Sequence, residues 1–289
     1  MNQNQYQLVE CPRDAMQGLR HWVPTDLKIS YLQLLMGVGF EVLDAGSMVS
    51  PKAVPQMKDT AEVLDALDLG NSRTRLSVVV ANDSGLQQAL DHKAVSIVGY
   101  PFSVSETFQT RNTRKSCEEA YRMIAPWSEA VDRSGRELWV YLSMGFGNPY
   151  GDSYSEQIVL DWIQRLVDHG IRNFSLSDTV GMALPSEIES LYASVVRAFP
   201  DLKLSLHLHA HPSKVESKIL AALDSGCHRL EGALLGYGGC PFAEDDLVGN
   251  VPTEWWIRAL TQRGTATGIQ MEVLHKAQWM ASDLFSRYR

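Results

Sequence analysis

Short apolar runs alternate with longer amphipathic runs along the whole chain of 289 residues. A strand followed by a helix, repeated through a chain, indicates parallel strands joined by helical crossovers. The runs with the length of buried strands are 6–10, 40–44, 75–80, 94–99, 137–142, 173–177, 203–209 and 229–231. The helical patterns are 26–37, 85–91, 113–133, 155–168, 185–199, 212–224 and 252–262, with a further one near 269–288.

Eight strand–helix units predict an α/β fold, a (β/α)8 TIM barrel with an additional C-terminal helix. The length suits one such barrel, which typically has about 250 residues, so we expect a single catalytic domain over residues 1–289. An open doubly wound sheet is the alternative, but no G-x-G-x-x-G motif opens a helix after the first strand. The pattern therefore favours the closed barrel.

Glycines and prolines stand where the barrel needs turns. Gly39, Gly170 and Gly226 each lie between a helical pattern and the next strand, where a left-handed C-cap is expected. Pro185 and Pro252 stand at first-turn helix positions. In a barrel of this kind active sites form at the carboxyl ends of the strands. Polar residues at those ends are therefore the candidate site residues.

Composition limits the partners and the compartment. The net charge of −8 argues against a nucleic-acid surface, although an anionic small substrate needs only a local cationic cluster. The four cysteines are scattered without a C-x-x-C pair, which is typical of reduced thiols; they are Cys11, Cys117, Cys227 and Cys240. The first residues lack a signal-peptide pattern and no apolar run approaches the ~18 residues of a membrane span. We expect a cytoplasmic protein without membrane or nucleic-acid partners.

Two histidines end the seventh predicted strand. Side chains alternate along a strand, so His207 and His209 point to one face and could form half of a metal site at the barrel mouth. Two hydrogen-bonded core histidines would produce the same pattern, and the pair alone does not decide between these interpretations. His211 continues the alternation, but Pro212 follows it directly. We expect His211 to face solvent or to support the ligands rather than to bind metal.

A longer series of motifs runs in order along the chain. It comprises P-R-D-A-M-Q at 12–17, S-M-V-S-P-K-A-V-P-Q-M at 47–57, S-D-T-V-G at 177–181, H-L-H at 207–209, G-G-C-P at 238–241 and G-N at 249–250. The series resembles the 3-hydroxy-3-methylglutaryl-CoA lyase family, part of a barrel metallolyase superfamily that includes isopropylmalate and homocitrate synthases. The resemblance covers about residues 9–268. Arg-Asp and H-x-H are superfamily features, whereas V-S-P-K-x-V-P-Q-M and G-G-C-P look specific to the lyase.

The resemblance implies a metal centre and a reaction. Asp14, His207, His209 and Asn250 would bind Mg²⁺ or Mn²⁺, and these nitrogen and oxygen ligands leave the site positively charged. The enzyme would cleave 3-hydroxy-3-methylglutaryl-CoA, or a close 3-hydroxyacyl-CoA, to acetoacetate and acetyl-CoA. The metal would polarise the substrate hydroxyl. Arg13 would stabilise the departing enolate.

Further roles follow from the same resemblance. Asp178 and His207 are candidates for proton transfer, both expected to face the mouth; Asp44 and Gln17 complete the catalytic set. The family is homodimeric, so we expect a homodimer. A cationic segment before the fourth helix would contact the acyl-CoA substrate through its nucleotide and pantetheine; its residues, with one from the first motif, are Arg20, Arg111, Asn112, Arg114 and Lys115.

Cys240 lies in a loop with glycines at positions 236, 238 and 239. Such a loop suits a lid that carries a thiol over bound substrate. A cysteine is more often a small buried apolar residue, and spacing alone favours that interpretation. The resemblance instead implies that Cys240 protonates the acetyl-CoA enolate.

Several positions depart from the family pattern. Asp44 stands where the lyase usually has Glu, and Ala15 replaces a glycine. The segment 210–213 reads A-H-P-S where the lyase has Asp-Thr-Tyr-Gly, which alters the surroundings of the metal. The segment 240–250 is one residue longer and carries three acidic residues at 244–246. Met144 and Asn148 stand where some relatives have cysteine.

Two other functions fit parts of the pattern. A Claisen- or aldol-type condensing enzyme of the same superfamily would join acetyl-CoA to a keto acid, but such synthases usually carry additional C-terminal domains. A degenerate barrel that binds acyl-CoA or metal without catalysis would explain the altered segment 210–213. The lyase is favoured because all four expected metal ligands and Arg13 are present.

Overall fold

A computed structural model of the protein describes residues 6–239 and 248–289. Eight parallel strands close into a barrel in sequence order, with the last strand paired to the first. The strands are β1 (Gln7–Glu10), β2 (Val42–Ser47), β3 (Arg75–Val79), β4 (Val95–Ser103), β5 (Glu137–Ser143), β6 (Asn173–Asp178), β7 (Lys203–Leu208) and β8 (Arg229–Gly232). The predicted TIM barrel is confirmed.

Helices follow the strands and cover the outside of the barrel. In the described ranges they are α1 (Pro12–Gln17), α2 (Thr25–Met36), α3 (Thr60–Ala66), α4 (Asp83–Asp91), α5 (Glu106–Thr113), α6 (Cys117–Ile124), α7 (Trp127–Arg133), α8 (Glu156–Asp168), α9 (Pro185–Ala198), α10 (Val215–Asp224), α11 (Thr253–Gln262) and α12 (Met271–Tyr288). None of these helices combines the length and the apolar character that a membrane crossing requires.

The predicted turn glycines behave as expected. Gly39, Gly170 and Gly226 have φ angles of 96°, 84° and 81°, which is the left-handed region that glycine enters without a steric penalty. Pro185 begins α9 as predicted, whereas Pro252 lies directly before α11 rather than in its first turn. These positions set the entry into the next strand or helix, as the sequence indicated.

One predicted helix, 113–133, is wrong. Only the last residue of α5 falls in this segment, which otherwise forms two separate short helices, α6 and α7. α5 ends because Arg114 adopts a left-handed conformation with a φ of 58°. Ser116 then caps α6 in a capping box with Glu119, and Pro126 caps α7. A continuous amphipathic pattern hid these breaks. The sequence also gave no sign of α1 and α3.

The additional helix α12 packs against α2 and against the short turn at Leu234–Gly236. The rings of Tyr31 and Phe285 meet edge to face at 6.4 Å between centroids, and Phe285 also stacks on Tyr237 at 4.3 Å. Gln270 N donates to Val38 O just before α12 begins. The C-terminal helix is therefore confirmed, and through Tyr237 it supports the start of the glycine-rich loop.

Candidate metal centre and active site

A cavity of about 320 Å³ opens at the carboxyl ends of the strands. Its inner wall is lined by Asp14, His207 and His209, together with Arg13 and Gln17. Hydroxyl groups of Ser47, Tyr141, Ser143, Ser177 and Thr179 line the sides. The cavity therefore brings charged side chains and groups that can ligate a metal together with hydroxyl-bearing and apolar residues, among them Val54 and Phe108, at the end of the barrel where catalysis is expected.

His207 and His209 point their free nitrogens at each other. The two Nε2 atoms are 3.1 Å apart, while His207 Nδ1 contacts the Glu231 carboxylate at 3.1 Å and His209 Nδ1 contacts Val248 O at 2.9 Å. A carbonyl oxygen only accepts, so His209 Nδ1 carries a proton. An ionised Glu231 likewise fixes a proton on His207 Nδ1. In the neutral rings both Nε2 atoms then direct a lone pair at the same point. A cation bound between them would remove the repulsion between these lone pairs.

Asp14 and Asn250 reach the same point from two other elements. Asp14 stands in α1, and Asn250 forms an isolated antiparallel bridge with His209. Asn250 Nδ2 donates to Asp14 Oδ2 at 2.6 Å and to Tyr237 O at 2.9 Å. Its Oδ1 is buried and has no hydrogen-bond partner among the described residues. An unpaired amide oxygen beside a carboxylate and two imidazoles fits a hard divalent cation.

Gly238 gives this cluster its shape. A Cβ at this position would lie 2.6 Å from Asn250 Nδ2 and 3.0 Å from Asp14 Oδ2, and its φ of 106° is in the left-handed region. Any side chain would therefore collide with two predicted ligands. The first glycine of the G-G-C-P motif is required by close backbone approach, which spacing alone did not reveal.

The charges around the cluster also suit a cation. Burial alone would raise the pKa of Asp14, but the charges of Arg13, His207 and His209 and the Asn250 hydrogen bond outweigh it and lower the pKa to about 2. Burial and the neighbouring His207 lower the pKa of His209 to about 4. A carboxylate that stays ionised and an imidazole that stays neutral are the protonation states that bind metal.

Arg13 is held from two sides. Its Nη2 forms an ion pair with Asp44 Oδ2 at 2.6 Å, and its Nη1 donates to Gln17 Oε1 at 2.9 Å. Gln17 Nε2 in turn donates to Asp14 Oδ1 at 2.8 Å. Aspartate at position 44 therefore reaches the guanidinium although it is one methylene shorter than the usual glutamate. Burial opposes the charge on Arg13, but Asp44 and Asp14 raise its pKa, so the cation is fixed beside the cluster.

Glu231 supports His207, a role that was not predicted from the sequence. It lies at the end of β8, fully buried, with one oxygen on His207 Nδ1 and the other accepting from the Ser205 hydroxyl. Burial would raise its pKa, but the contact with His207 lowers it. The same contact raises the pKa of His207 against the opposing effect of burial. The signal that could have indicated this role is the position of Glu231 at the end of the predicted strand 229–231, where site residues are expected.

Asp178 does not face the cavity, so the expectation that it lies at the mouth is wrong. Its carboxylate forms an ion pair with the buried Lys218 and accepts from Ala183 N at 3.1 Å. The reason is the alternation of side chains along β6. Ser177 lines the cavity, so its neighbour Asp178 points towards the helix layer.

The cationic segment only partly reaches the cavity. Asn112, Arg114 and Lys115 line the mouth. The exposed Arg20 does not, and the Arg111 guanidinium lies 4.5 Å from the centroid of the Tyr150 ring. Arg20 and Arg111 are therefore not brought to the site. The mouth is also lined by Lys52 of the V-S-P-K motif and by Asn82, neither of which was predicted to contact the acyl-CoA.

Two other expectations concern the loops beside the cluster. His211 is exposed, and its Nδ1 contacts the Ser213 hydroxyl at 2.9 Å, so it is not a further ligand. Cys240 and the acidic residues at 244–246 lie outside the described residues. The role of the thiol stays a prediction.

Comparisons with known proteins agree with the sequence resemblance. Over 270 residues the chain is 34% identical to the cytoplasmic 3-hydroxy-3-methylglutaryl-CoA lyase of Rattus norvegicus, covering 92% of this chain and 77% of the relative. It is 29% identical to the hydroxymethylglutaryl-CoA lyase YngG of Bacillus subtilis, covering 93% and 89%. A solved HMG-CoA lyase from Acinetobacter baumannii, in complex with coenzyme A and 3-methylmalate, superposes with a TM-score of 0.91 at 28% identity over 99% of this chain and 93% of that one.

The family model described as HMGL-like matches residues 7–280, almost the whole chain. The relatives named above are lyases, and the resemblance predicted from the motif series is thereby confirmed. This protein belongs to the HMGL-like family and is a carbon–carbon lyase of the HMG-CoA lyase type.

Proposed function

We propose that this protein cleaves 3-hydroxy-3-methylglutaryl-CoA, or a close 3-hydroxyacyl-CoA, to acetoacetate and acetyl-CoA with the help of Mg²⁺ or Mn²⁺. Asp14, His207, His209 and Asn250 would hold the ion. The observation that carries the proposal is the convergence of a carboxylate, two imidazoles and an amide. The two imidazole Nε2 atoms face each other, and Asn250 Oδ1 has no hydrogen-bond partner among the described residues. When bound, the ion would acidify a substrate hydroxyl and stabilise negative charge.

Arg13 is the protein group we assign to the enolate. The C3 hydroxyl loses its proton to solvent and becomes the ketone of acetoacetate while the bond between C2 and C3 breaks. The electron pair of that bond passes to the departing acetyl-CoA carbon, and negative charge develops on the thioester oxygen. A guanidinium held by Asp44 and Gln17 needs no reorganisation to stabilise that charge, and such groups are worth about 10²–10³ in rate. Protonation of the enolate carbon then completes acetyl-CoA. We assign this proton to Cys240, on the strength of the family motif.

His207 is assigned to ligation rather than to proton transfer. Ligation would use Nε2, and Nδ1 is already engaged by Glu231. Both nitrogens then have a partner, so the two roles compete for one atom. Glu231 orients the ring and makes it a stronger donor to a metal. Asp178 is assigned a structural role because it points away from the cavity.

The acyl-CoA substrate is supported by the cations at the mouth. Lys52, Arg114 and Lys115 place positive charge around the opening of an otherwise acidic protein. Phosphate groups of a polyanionic thioester would be attracted there. The A. baumannii relative was solved with coenzyme A. A homodimer and a cytoplasmic location stay predictions; the relatives include both cytoplasmic and mitochondrial lyases.

The test is release of acetoacetate from 3-hydroxy-3-methylglutaryl-CoA by chelator-treated protein, before and after addition of Mg²⁺ or Mn²⁺. We expect turnover only with metal. Free CoA from acetyl-CoA and a keto acid, without any acetoacetate release, would favour the condensing enzyme. Metal binding without either reaction would favour the degenerate barrel.

A further inference from the structure

Lys218 is a buried lysine that contacts the metal-binding end of the barrel from outside. It lies in α10, and its side chain is fully buried. Nζ has three acceptors: the Asp178 carboxylate, Gly181 O at 2.9 Å and His209 O at 2.8 Å. All three donor hydrogens of the ammonium are therefore used. The last acceptor is the backbone of a proposed metal ligand.

These contacts join two strand ends around His209. Asp178 is the last residue of β6 and Gly181 lies in the turn that follows it, whereas His209 directly follows β7. A Cβ at Gly181 would lie 2.6 Å from Val248 Cγ1 and 3.2 Å from His209 O, so the turn packs tightly on both. Val248 O in turn accepts from His209 Nδ1. Lys218 thus fixes the backbone of His209 from one side while Val248 fixes its ring from the other.

The residues that follow His209 offer it no comparable support. Ala210 is apolar, and His211 and Ser213 are exposed and contact each other. This segment departs from the lyase pattern at every position. The polar contact to the carbonyl of His209 comes instead from α10, nine residues further along the chain.

Stability alone is a poor reason for such an ion pair. Removing a lysine and a carboxylate from water costs several kcal/mol for each ion, and replacing buried pairs with apolar residues is often neutral or stabilising. The Lys218–Asp178 pair has a second use, because the Lys218 ammonium also holds the backbone carbonyl of His209. The orientation of a ligand controls the affinity for the metal.

We infer that Lys218 is a positioning residue of the metal centre, which holds His209 in the orientation that binds the ion. The inference rests on the proposed metal site and adds a residue to it. It gives Asp178 the role of neutralising and orienting Lys218.

The test compares Mn²⁺ affinity with stability. Lys218→Met keeps the length of the side chain and removes its donors; we expect Mn²⁺ binding, followed by electron paramagnetic resonance of the free ion, to weaken about 10–100-fold. The matched control is Lys28→Met. Lys28 is also buried and pairs with Asp59 and Gln56 O, which are not proposed ligands. It should lower Tm and leave the Kd for Mn²⁺ within twofold of the wild type.

A double variant keeps the test decisive if Lys218→Met folds poorly. Lys218→Met/Asp178→Asn leaves no unpaired buried charge, so it should recover Tm while the weak Mn²⁺ binding persists. Wild-type affinity in this variant or in Lys218→Met would overturn the inference, as would an equal loss in Lys28→Met. No Mn²⁺ binding by the wild type would instead overturn the metal site itself.

Discussion

Glu10 and Asp14 are fully buried carboxylates four residues apart, and their pKa values are shifted in opposite directions. Glu10 points into the helix layer, where it accepts from Leu234 N at 2.8 Å and from the Thr253 hydroxyl. Burial raises its pKa to about 8. Asp14 lies at the inner wall of the cavity, and the surrounding charges lower its pKa to about 2 in spite of burial.

Neighbouring charges, and not burial, separate these two acids as candidate metal ligands. Burial acts on both groups in the same direction, so it does not identify a site. What distinguishes Asp14 is a guanidinium and two imidazoles on one side, whereas the described partners of Glu10 are a backbone amide and a hydroxyl. Asp14 is kept anionic at a place where charge would otherwise be costly, which is the condition for binding a cation.

The largest expected effect comes from neutralising the two acids in turn. Asp14→Asn should lose Mn²⁺ binding and reduce acetoacetate release to background, because it removes the anionic ligand. Glu10→Gln should retain both, because the native group is neutral over most of the physiological range. Metal binding by calorimetry and steady-state turnover measure the two effects. Equal losses of Mn²⁺ binding and of turnover in both variants would contradict the assignment of Asp14, and not Glu10, as the ligand.

Arg13→Met removes the cation that most strongly keeps Asp14 ionised. We expect kcat to fall about 10³-fold through loss of enolate stabilisation, with circular dichroism unchanged. Arg13→Lys should recover only part of the rate, because an ammonium cannot contact Asp44 and Gln17 as a fork. A near-normal kcat in Arg13→Met would contradict the enolate role.

Cys240→Ala should lower kcat about 10²-fold or more while Mn²⁺ affinity stays unchanged, because the thiol is assigned to proton transfer and not to ligation. Cys227→Ala is the control, since Cys227 is buried behind β8 with its thiol on Arg229 O. That change should affect Tm alone. If Cys240→Ala behaved like Cys227→Ala, Cys240 would be an ordinary apolar cysteine.

Substitutions at the mouth of the cavity should impair the enzyme less than substitutions at its inner wall. Arg114→Ala/Lys115→Ala should raise KM for the CoA substrate about tenfold, with a smaller effect in high salt and little change in kcat. Arg20→Ala/Arg111→Ala removes equal charge from positions that do not line the cavity, and its KM should stay within twofold. A similar rise in both double variants would point to net charge rather than to a site.

The smallest effect concerns stability and pH. The folded pKa of Glu10 is raised to about 8 from an ordinary value near 4.5, so between these values the folded state holds a proton that the unfolded state has lost. Its contribution to stability is therefore full below about pH 4.5 and declines as pH rises to about 8. Glu10→Gln should flatten this part of the Tm profile. An unchanged slope would show that Glu10 is ionised in the fold.

Sequence reasoning succeeded where a local rule applied. Strand–helix alternation located all eight strands, and the period of two placed His207 and His209 on one face. The same period, applied to Ser177 and Asp178, would have turned Asp178 away from the cavity. The helix 113–133 failed because a left-handed Arg114 is not visible in an amphipathic pattern.

The remaining errors concern partners distant in the chain. Lys218 meets Asp178 across 40 residues, and Asn250 meets Asp14 across 236. No local periodicity encodes such pairs; only the closed barrel brings them together. The motif series supplied Asn250, whereas nothing in it pointed to Lys218.

The most direct test of the metal centre is pulsed electron paramagnetic resonance of the Mn²⁺-loaded protein. Two imidazole nitrogens should couple to the ion in the wild type, and His209→Ala should leave one. Mn²⁺ that binds without nitrogen coupling would contradict the proposed centre.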